Sequence, residues 1–419
     1  MPGENSNRHD SLFVMTDQHP RLLIATEFPP NASGGGPAVV RQMLQGWPVD
    51  RLFWWSCLPE QDKHFGQETA AQVVTAIPSR LYPNQRWARE KCWLLENLWT
   101  HWAARHFRET LDAFKPDAVW VIPHAWSIPP LAAVLPNARI GFHTSIHDYA
   151  DVQGNAARFG SERTQRMAGL ADQLYAKATT RDAISHPMVA DLQARTGCDG
   201  VVSHAGLEAD DFAWLAGKTP RATAQIRIAY AGTIIVEETF ELLVSTLARI
   251  RSQLPLPVKL LFFGAHSYQS RRWFDSAWMF ERGNLAEPAL TLALRECDWG
   301  FLPMSLTEAD PRYNRFSLPT KLISYLAAGL PLITIGHPES SAVKLASAYG
   351  MGICSTSAQP DVLGRELLAG LSLKSPWEVF GAEVVRCGKT ECDAQRMRNR
   401  LHDCFRICSG QPQKLPTHA

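Results

Sequence analysis

The chain has 419 residues, 45% apolar and 20% charged, with a formal net charge of +1. That length carries two or more α/β domains with real cores. The near-neutral balance excludes a duplex nucleic-acid binder, which needs a strongly basic footprint.

The first 20 residues are polar and contain no apolar h-region, so a disordered tail is expected there, with no signal peptide and a cytoplasmic location. "RLLIATEF" (21–28) reads as a buried strand, "PPNASGGG" as a loop, and "PAVVRQMLQG" as a helix with Pro37 in its first turn. "RLFWWSCL" (51–58), "DAVWVI" (117–122) and "ARIGFH" (138–143) read as further strands, and "HPMVADLQARTG" (186–197) as a helix ending at Gly197. The apolar stretch 119–135 is interrupted by Pro123, His124, Pro129 and Pro130, which rules it out as a membrane span. Between 206 and 225 the chain turns polar and broken, and reads as a linker.

The alternation then restarts: strands over 226–232, 258–264, 298–303 and 331–336, with helices over 237–253, 288–297 and 319–329 between them. Strand–helix alternation means parallel sheets covered on both faces. The expected fold is α/β, with two doubly wound, Rossmann-like domains over 21–210 and 226–385 facing a central cleft, and a helical tail over 386–419. Doubly wound sheets bind ligands beyond the carboxyl ends of their strands, so the cleft is the expected site.

Four features bear on chemistry. Gly34, Gly35 and Gly36 follow the first strand and lead into a helix, where a bare backbone can approach a ligand and offer N–H groups; a flexible turn is the alternative. "SIHDYAD" places His147 and Asp148 at a strand's end, where His147 could bond a sugar hydroxyl or shuttle a proton, while His143 inside the strand suits a core role. The stretch 304–318 is long for a structureless connection and feeds a helix opening Pro319-Thr320-Lys321. A cation in a helix's first turn opposes the macrodipole, so Lys321 is easier to explain with an anion nearby; a solvated side chain is the alternative and, on its own, the more common case. Finally, 85–111 reads as a long helix with four Trp, of which Ala88, Cys92, Leu95, Trp99 and Trp102 make a core stripe; a second reading rests this basic, Trp-rich helix on a membrane surface.

Metal chemistry finds little footing. Nine dispersed Cys suit reduced thiols. Cys387, Cys392, Cys404 and Cys408 are spaced more loosely than zinc fingers favour. No Asp-x-Asp triplet is present.

Taken together, "EFPPNASGGGPAVV", "SIHDYAD", "ATTRDAISHPMVADLQARTG" with "VVSHAGLE", "IAYAGTI" with "LLFFGAHS", and "LPTKLISYLAAGLPLIT" resemble a GT-B glycosyltransferase, most like glycosyltransferase family 4 in the branch whose donor helix starts Pro-x-Lys-Leu. The resemblance covers about 21–355. It implies metal-independent, cofactor-free transfer of a sugar from a nucleotide diphosphate sugar to a sugar or lipid-linked acceptor hydroxyl, in cell-surface polysaccharide or glycolipid synthesis. His147 would contact the donor sugar. Gly232, Thr233, Arg315, Pro319, Thr320, Lys321 and Ser324 would bind the donor, with Lys321 and Arg315 as counter-charges to the diphosphate. Gly34–Gly36 would form the acceptor-side loop. The chain departs from the family where Ser324 and Phe316 replace acids and where Thr233 is followed by no Arg-Lys pair. Those departures favour one alternative, a binder of the same fold without catalysis. A two-domain solute-binding protein is a third reading, disfavoured by the absent signal peptide.

Overall fold

Short apolar runs become two parallel sheets. β1 (Leu22–Thr26), β2 (Leu52–Ser56), β3 (Ala71–Val74), β4 (Ala118–Val121), β5 (Phe142–Ile146), β6 (Thr180–Ala183) and β7 (Val201–Val202) form the first, in the order β3-β2-β1-β4-β5-β6-β7. β8 (Ile226–Ala231), β9 (Val258–Phe263), β10 (Met279–Glu281), β11 (Trp299–Pro303), β12 (Leu332–Ile335) and β13 (Gly352–Ser355) form the second, in the order β10-β9-β8-β11-β12-β13. Each strand pairing is parallel. The computed structural model describes residues 19–30, 35–58, 71–74, 77–78, 81, 87–151, 153–220, 224–307 and 311–410. The expected tail up to 18 and Gly34 lie outside them.

Strand alternation explains why both faces are sealed. On β1, Leu23 and Ala25 join a core with Trp55, Phe107, Leu131 and Leu174, while Leu22 and Ile24 face Val40, Met43, Trp54 and Phe405 on the other side. In both sheets the strand order reverses once, between β1 and β4 and between β8 and β11. Ligands of doubly wound folds sit at such switch points.

Several expectations change in detail. The strand expected at 138–143 is β5 at 142–146, so His143 is buried mid-strand and His147 comes just past its end. The supposed linker contains a helix, Ala209–Gly217, and the loop expected over 304–318 contains a six-residue helix, Pro311–Phe316. The Trp-rich segment is helical from Ala88 to Phe114 but passes through a π-helical turn at Leu95–Trp99. That turn inserts a residue and resets the phase. Cys92, Leu95 and Trp99 are buried as expected, but Ala103 and Phe107 continue the stripe, and Trp102 points outward, 51% exposed. The C-terminal segment forms helices Pro376–Glu391 and Ala394–Cys408. The last one crosses back to the first sheet, where Arg398 pairs with Glu208 at 2.6 and 2.7 Å. That crossing separates Cys387 and Cys392, in a core of the second sheet, from Cys408 on the first. No helix among the described residues is long and apolar enough to cross a membrane.

Candidate functional site

The helix Thr320–Ala327 begins after Pro319, which carries no side-chain cap bond, and Gly329 closes the turn beyond its last residue at φ 62°. Leu322 N–H donates to the Pro319 carbonyl at 2.9 Å, which leaves the N–H groups of Thr320 and Lys321 as the first-turn donors without a backbone partner among the described residues. Thr320 meets the other domain: a Cβ on Gly35 would lie 2.9 Å from its side chain, so the glycine lets the chain after β1 approach this helix. Around this junction is a cavity of about 270 Å³ lined by Gly35, Gly36, His147, Asp148, Pro319 and Thr320 together with His204, Ile235, Tyr313 and Ser317. Five residues from the sequence-based site, drawn from both domains, therefore share one cavity.

Lys321 is not solvated. It is half-buried, its Nζ 4.1 Å from the centroid of the Tyr230 ring and donating to Tyr230 Oη at 2.9 Å. The Tyr230 O–H in turn donates a hydrogen bond to the Thr233 carbonyl at 2.7 Å. Gly232, between them, turns the chain at φ 90°, which favours glycine. Desolvation lowers the Lys321 pKa to about 7, and no carboxylate among the described residues pairs with it. A cation stripped of water and offered only a phenol gains from any anion brought beside it. Lys321, Thr233 and Gly232 thus form one unit at the end of β8. Ser324 is half-buried in the next turn. Arg315 is exposed and, like Lys321, Ser324, Gly232 and Thr233, does not line the cavity.

His147 is neutral: burial, with a smaller push from His124, pulls its pKa down to about 4. A neutral imidazole can exchange hydrogen bonds with a hydroxyl but cannot serve as a counter-ion. Neighbouring Asp148 is exposed, and its Oδ1 accepts from Ser317 Oγ of the other domain at 3.5 Å. His143 has a structural role. Burial alone would lower its pKa, but Asp182 at 3.1 Å outweighs that and raises it to about 9. Further contacts hold the domains together: Arg312 to Asp151 at 3.1 Å, Ser185 Oγ to the Phe316 carbonyl at 2.7 Å, and Tyr149 edge-on to Phe316.

Sequence reading missed Tyr230, Tyr313 and His204, which look like strand or loop residues until the fold brings them to the cleft. A larger cavity, about 940 Å³, lies apart from the cleft, between the Trp-rich helix and the helix Ser161–Lys177, lined by Arg89, Trp93, Glu96, Arg158, Arg163 and Arg166. Glu96 engages both Arg163 and Arg166, and Glu162 also meets Arg166 at 3.6 Å, so four Arg against two Glu leave the lining net positive.

No family model matches this chain, and no curated protein matches it by sequence. Solved structures do match over nearly its full length. Sucrose-phosphate synthase from Thermosynechococcus elongatus superimposes with a TM-score of 0.64 at 14% identity, over 92% of this chain and 98% of that one. The UDP-forming α,α-trehalose-phosphate synthase from Burkholderia xenovorans, in complex with glucose-6-phosphate, gives 0.61 at 12% identity over 91% and 98%. The E. coli protein described as trehalose-6-phosphate bound with UDP-2-fluoro glucose gives 0.58 at 11% over 94% and 99%. By fold the chain is a two-domain protein of GT-B architecture, and likeness at 11–14% identity carries that architecture alone.

Proposed function

We propose that this chain is a glycosyltransferase that moves a sugar from a nucleotide diphosphate sugar to an acceptor hydroxyl. The observation that carries the reading is Lys321: a desolvated cation beside the N-terminus of the donor helix, without a carboxylate partner. A departing diphosphate would restore its charge, and free N–H groups would bind the phosphate oxygens. Gly232, Thr233, Pro319, Thr320 and Ser324 complete the donor side. The acceptor lies on the Gly34–Gly36 side, and His147 bonds the transferred sugar. Arg315 belongs to the donor set only if the 311–316 helix swings inward. The ligands bound in two structural neighbours, UDP-2-fluoro glucose and glucose-6-phosphate, make a UDP-sugar and a sugar phosphate the first pair to try. Thermal unfolding with UDP, GDP, ADP and CMP tests the donor side. One diphosphate should raise Tm by several degrees through mass action, in EDTA as well as without it. A shift that needs Mn²⁺ would contradict metal-free binding.

The family 4 branch, and a role in polysaccharide or glycolipid synthesis at the inner face of a membrane, belong to the same reading. The supporting observation for membrane contact is the phase reset at Leu95–Trp99. It leaves Leu98 and Trp102 (60% and 51% exposed) on the solvent side of a helix that also carries Arg89, Arg105 and Arg108, with Trp87 (62% exposed) just before its first turn. The protein should sediment with phosphatidylserine vesicles at low salt and be released at high salt. Failure to sediment at low salt would make the stripe an ordinary surface. The catalytically inactive binder stays as the second reading, because no Arg or Lys stands between Thr233 and Glu238. It predicts the same thermal shift with no turnover.

A further inference from the structure

The second cavity, about 940 Å³, shares no lining residue with the cleft cavity, and the transfer reading makes no use of it. The Trp-rich helix forms one wall and the start of the helix Ser161–Lys177 another. Glu96 is placed between two guanidinium groups. It accepts from Arg163 Nε and Nη2 at 2.7 and 3.1 Å, and its Oε1 also accepts from Arg166 Nη2 at 3.0 Å. The Phe159 carbonyl fixes Arg163 Nη1 in turn. The Arg163 side chain is only 16% exposed, so this pair lies low in the cavity. Arg166 is 59% exposed, and its other contact is the exposed Glu162 at 3.6 Å. An ion pair as open as that contributes little. Arg89 is exposed on the wall, and no carboxylate among the described residues pairs with it. With Arg158 the lining carries four Arg against two Glu, an excess of two positive charges.

A concave wall focuses the field of such an excess, and a bound dianion relieves it. Arg163 and Arg166 are already held by Glu96, so they lose little further side-chain freedom when a ligand arrives. Apolar surface stands beside the charges: Trp93 is exposed at the wall, and Phe159 and Met167 are buried beneath it. The volume is that of a small-organic-ligand cavity, larger than an inorganic anion fills. Glu96 also belongs to the π-helical turn Leu95–Trp99, a kind of turn that recurs at functional sites.

We propose that this cavity is a second binding site, for a phosphate monoester whose dianion lies against Arg166 and Arg89 and whose organic part lies along Trp93. A phosphate monoester is largely dianionic above pH 7, and its three oxygens can accept from more than one guanidinium fork. A soluble polyol phosphate and the headgroup of phosphatidic acid present this same group, and the test separates them. The site stands whether or not the cleft transfers sugar.

The probes are glycerol 3-phosphate and dioctanoyl phosphatidic acid below its micelle concentration, each titrated calorimetrically into the full chain at pH 7.5 and fixed ionic strength. One of them should bind with a Kd below ~1 mM. Glycerol, which is uncharged, and dimethyl phosphate, a monoanion, should bind at least ~10-fold more weakly. The double variant Arg89→Gln, Arg166→Gln changes two exposed positions and should lower the affinity ~10-fold or more. Lys321→Ala, in the cleft, should leave it unchanged. Glu96→Gln should act with the opposite sign. It removes the carboxylate that competes with the ligand, so affinity should rise ~10-fold even as Tm falls with the weakened ion pairs. A cluster with a structural role alone would lose Tm in that variant and gain no binding. If Glu96→Gln fails to fold, the double arginine variant, checked by its Tm, carries the test alone. Binding of glycerol 3-phosphate assigns a soluble ester, and binding of phosphatidic acid alone assigns a lipid headgroup. No binding of either probe, or binding that the double variant leaves unchanged, overturns the proposal.

Discussion

Lys321→Ala is expected to weaken UDP binding by ~1.5–3 kcal/mol, a ~10- to 100-fold loss of affinity, while uridine binding stays unchanged. The magnitude is that of a hydrogen bond to a charged group in a poorly solvated place, and uridine serves as the internal control because it lacks the phosphates. In the free protein the ammonium sits half-buried on the Tyr230 ring with its pKa lowered to about 7. Half the molecules therefore lack the charge at neutral pH. A bound diphosphate favours the charged form and raises that pKa, so binding above pH 7 must take up a proton. Affinity should accordingly fall as pH rises from 7 toward 10 in wild type and stay flat in Lys321→Ala. The alanine variant should fold normally, since it removes a desolvated cation that opposes the helix dipole. Isothermal titration in two buffers of different ionisation enthalpy measures the proton directly. Unchanged UDP affinity in the variant would leave the charge to Arg312 or Arg315, and Arg312 is already committed to Asp151.

His147→Ala is expected to fail differently. Turnover should drop ~10²-fold or more while UDP affinity stays within twofold, because the imidazole is neutral above about pH 4 and can act only on hydroxyls. Desolvation is the main cause of that low pKa, so wild type should show no activity limb from His147 above pH 5. The sign for stability follows. A histidine whose folded pKa is depressed contributes fully above the unfolded pKa near 6.5, and that contribution is lost as pH falls through 4. His143 behaves the opposite way: its contribution is complete below 6.5 and fades as pH rises through about 9. Equal loss of UDP affinity and turnover in His147→Ala would move this residue onto the diphosphate.

The fold class was legible because the central strands β1, β2, β4, β8, β9, β11 and β12 are continuous apolar runs with turn residues at their ends. The strands that escaped notice are short or polar. β7 has two residues and β10 three, and β6 reads Thr-Arg-Asp-Ala. β5 was displaced by four residues for a specific reason. Its buried polar side chains find partners on other strands, His143 on Asp182 and Ser145 on Trp120 Nε1 at 2.8 Å, so a loop-like composition is stable in a core. The carboxyl-end position of His147 followed from strand logic and holds in the folded chain. Lys321 could be flagged as an anomaly in its helix, but its burial could not, because Tyr230 stands 91 positions away.

The central claim, that this cleft transfers sugar from a nucleotide diphosphate donor, is tested most directly by diphosphate release. Wild-type protein is incubated in EDTA with each nucleotide sugar, with and without glucose-6-phosphate, and free UDP or GDP is quantified over time. The account predicts release from one donor, stimulated by acceptor and reduced at least tenfold by both Lys321→Ala and His147→Ala. Saturable UDP or GDP binding with no release from any donor would contradict catalysis and leave a nucleotide-sugar binder, and the absence of both binding and release would contradict the donor site itself.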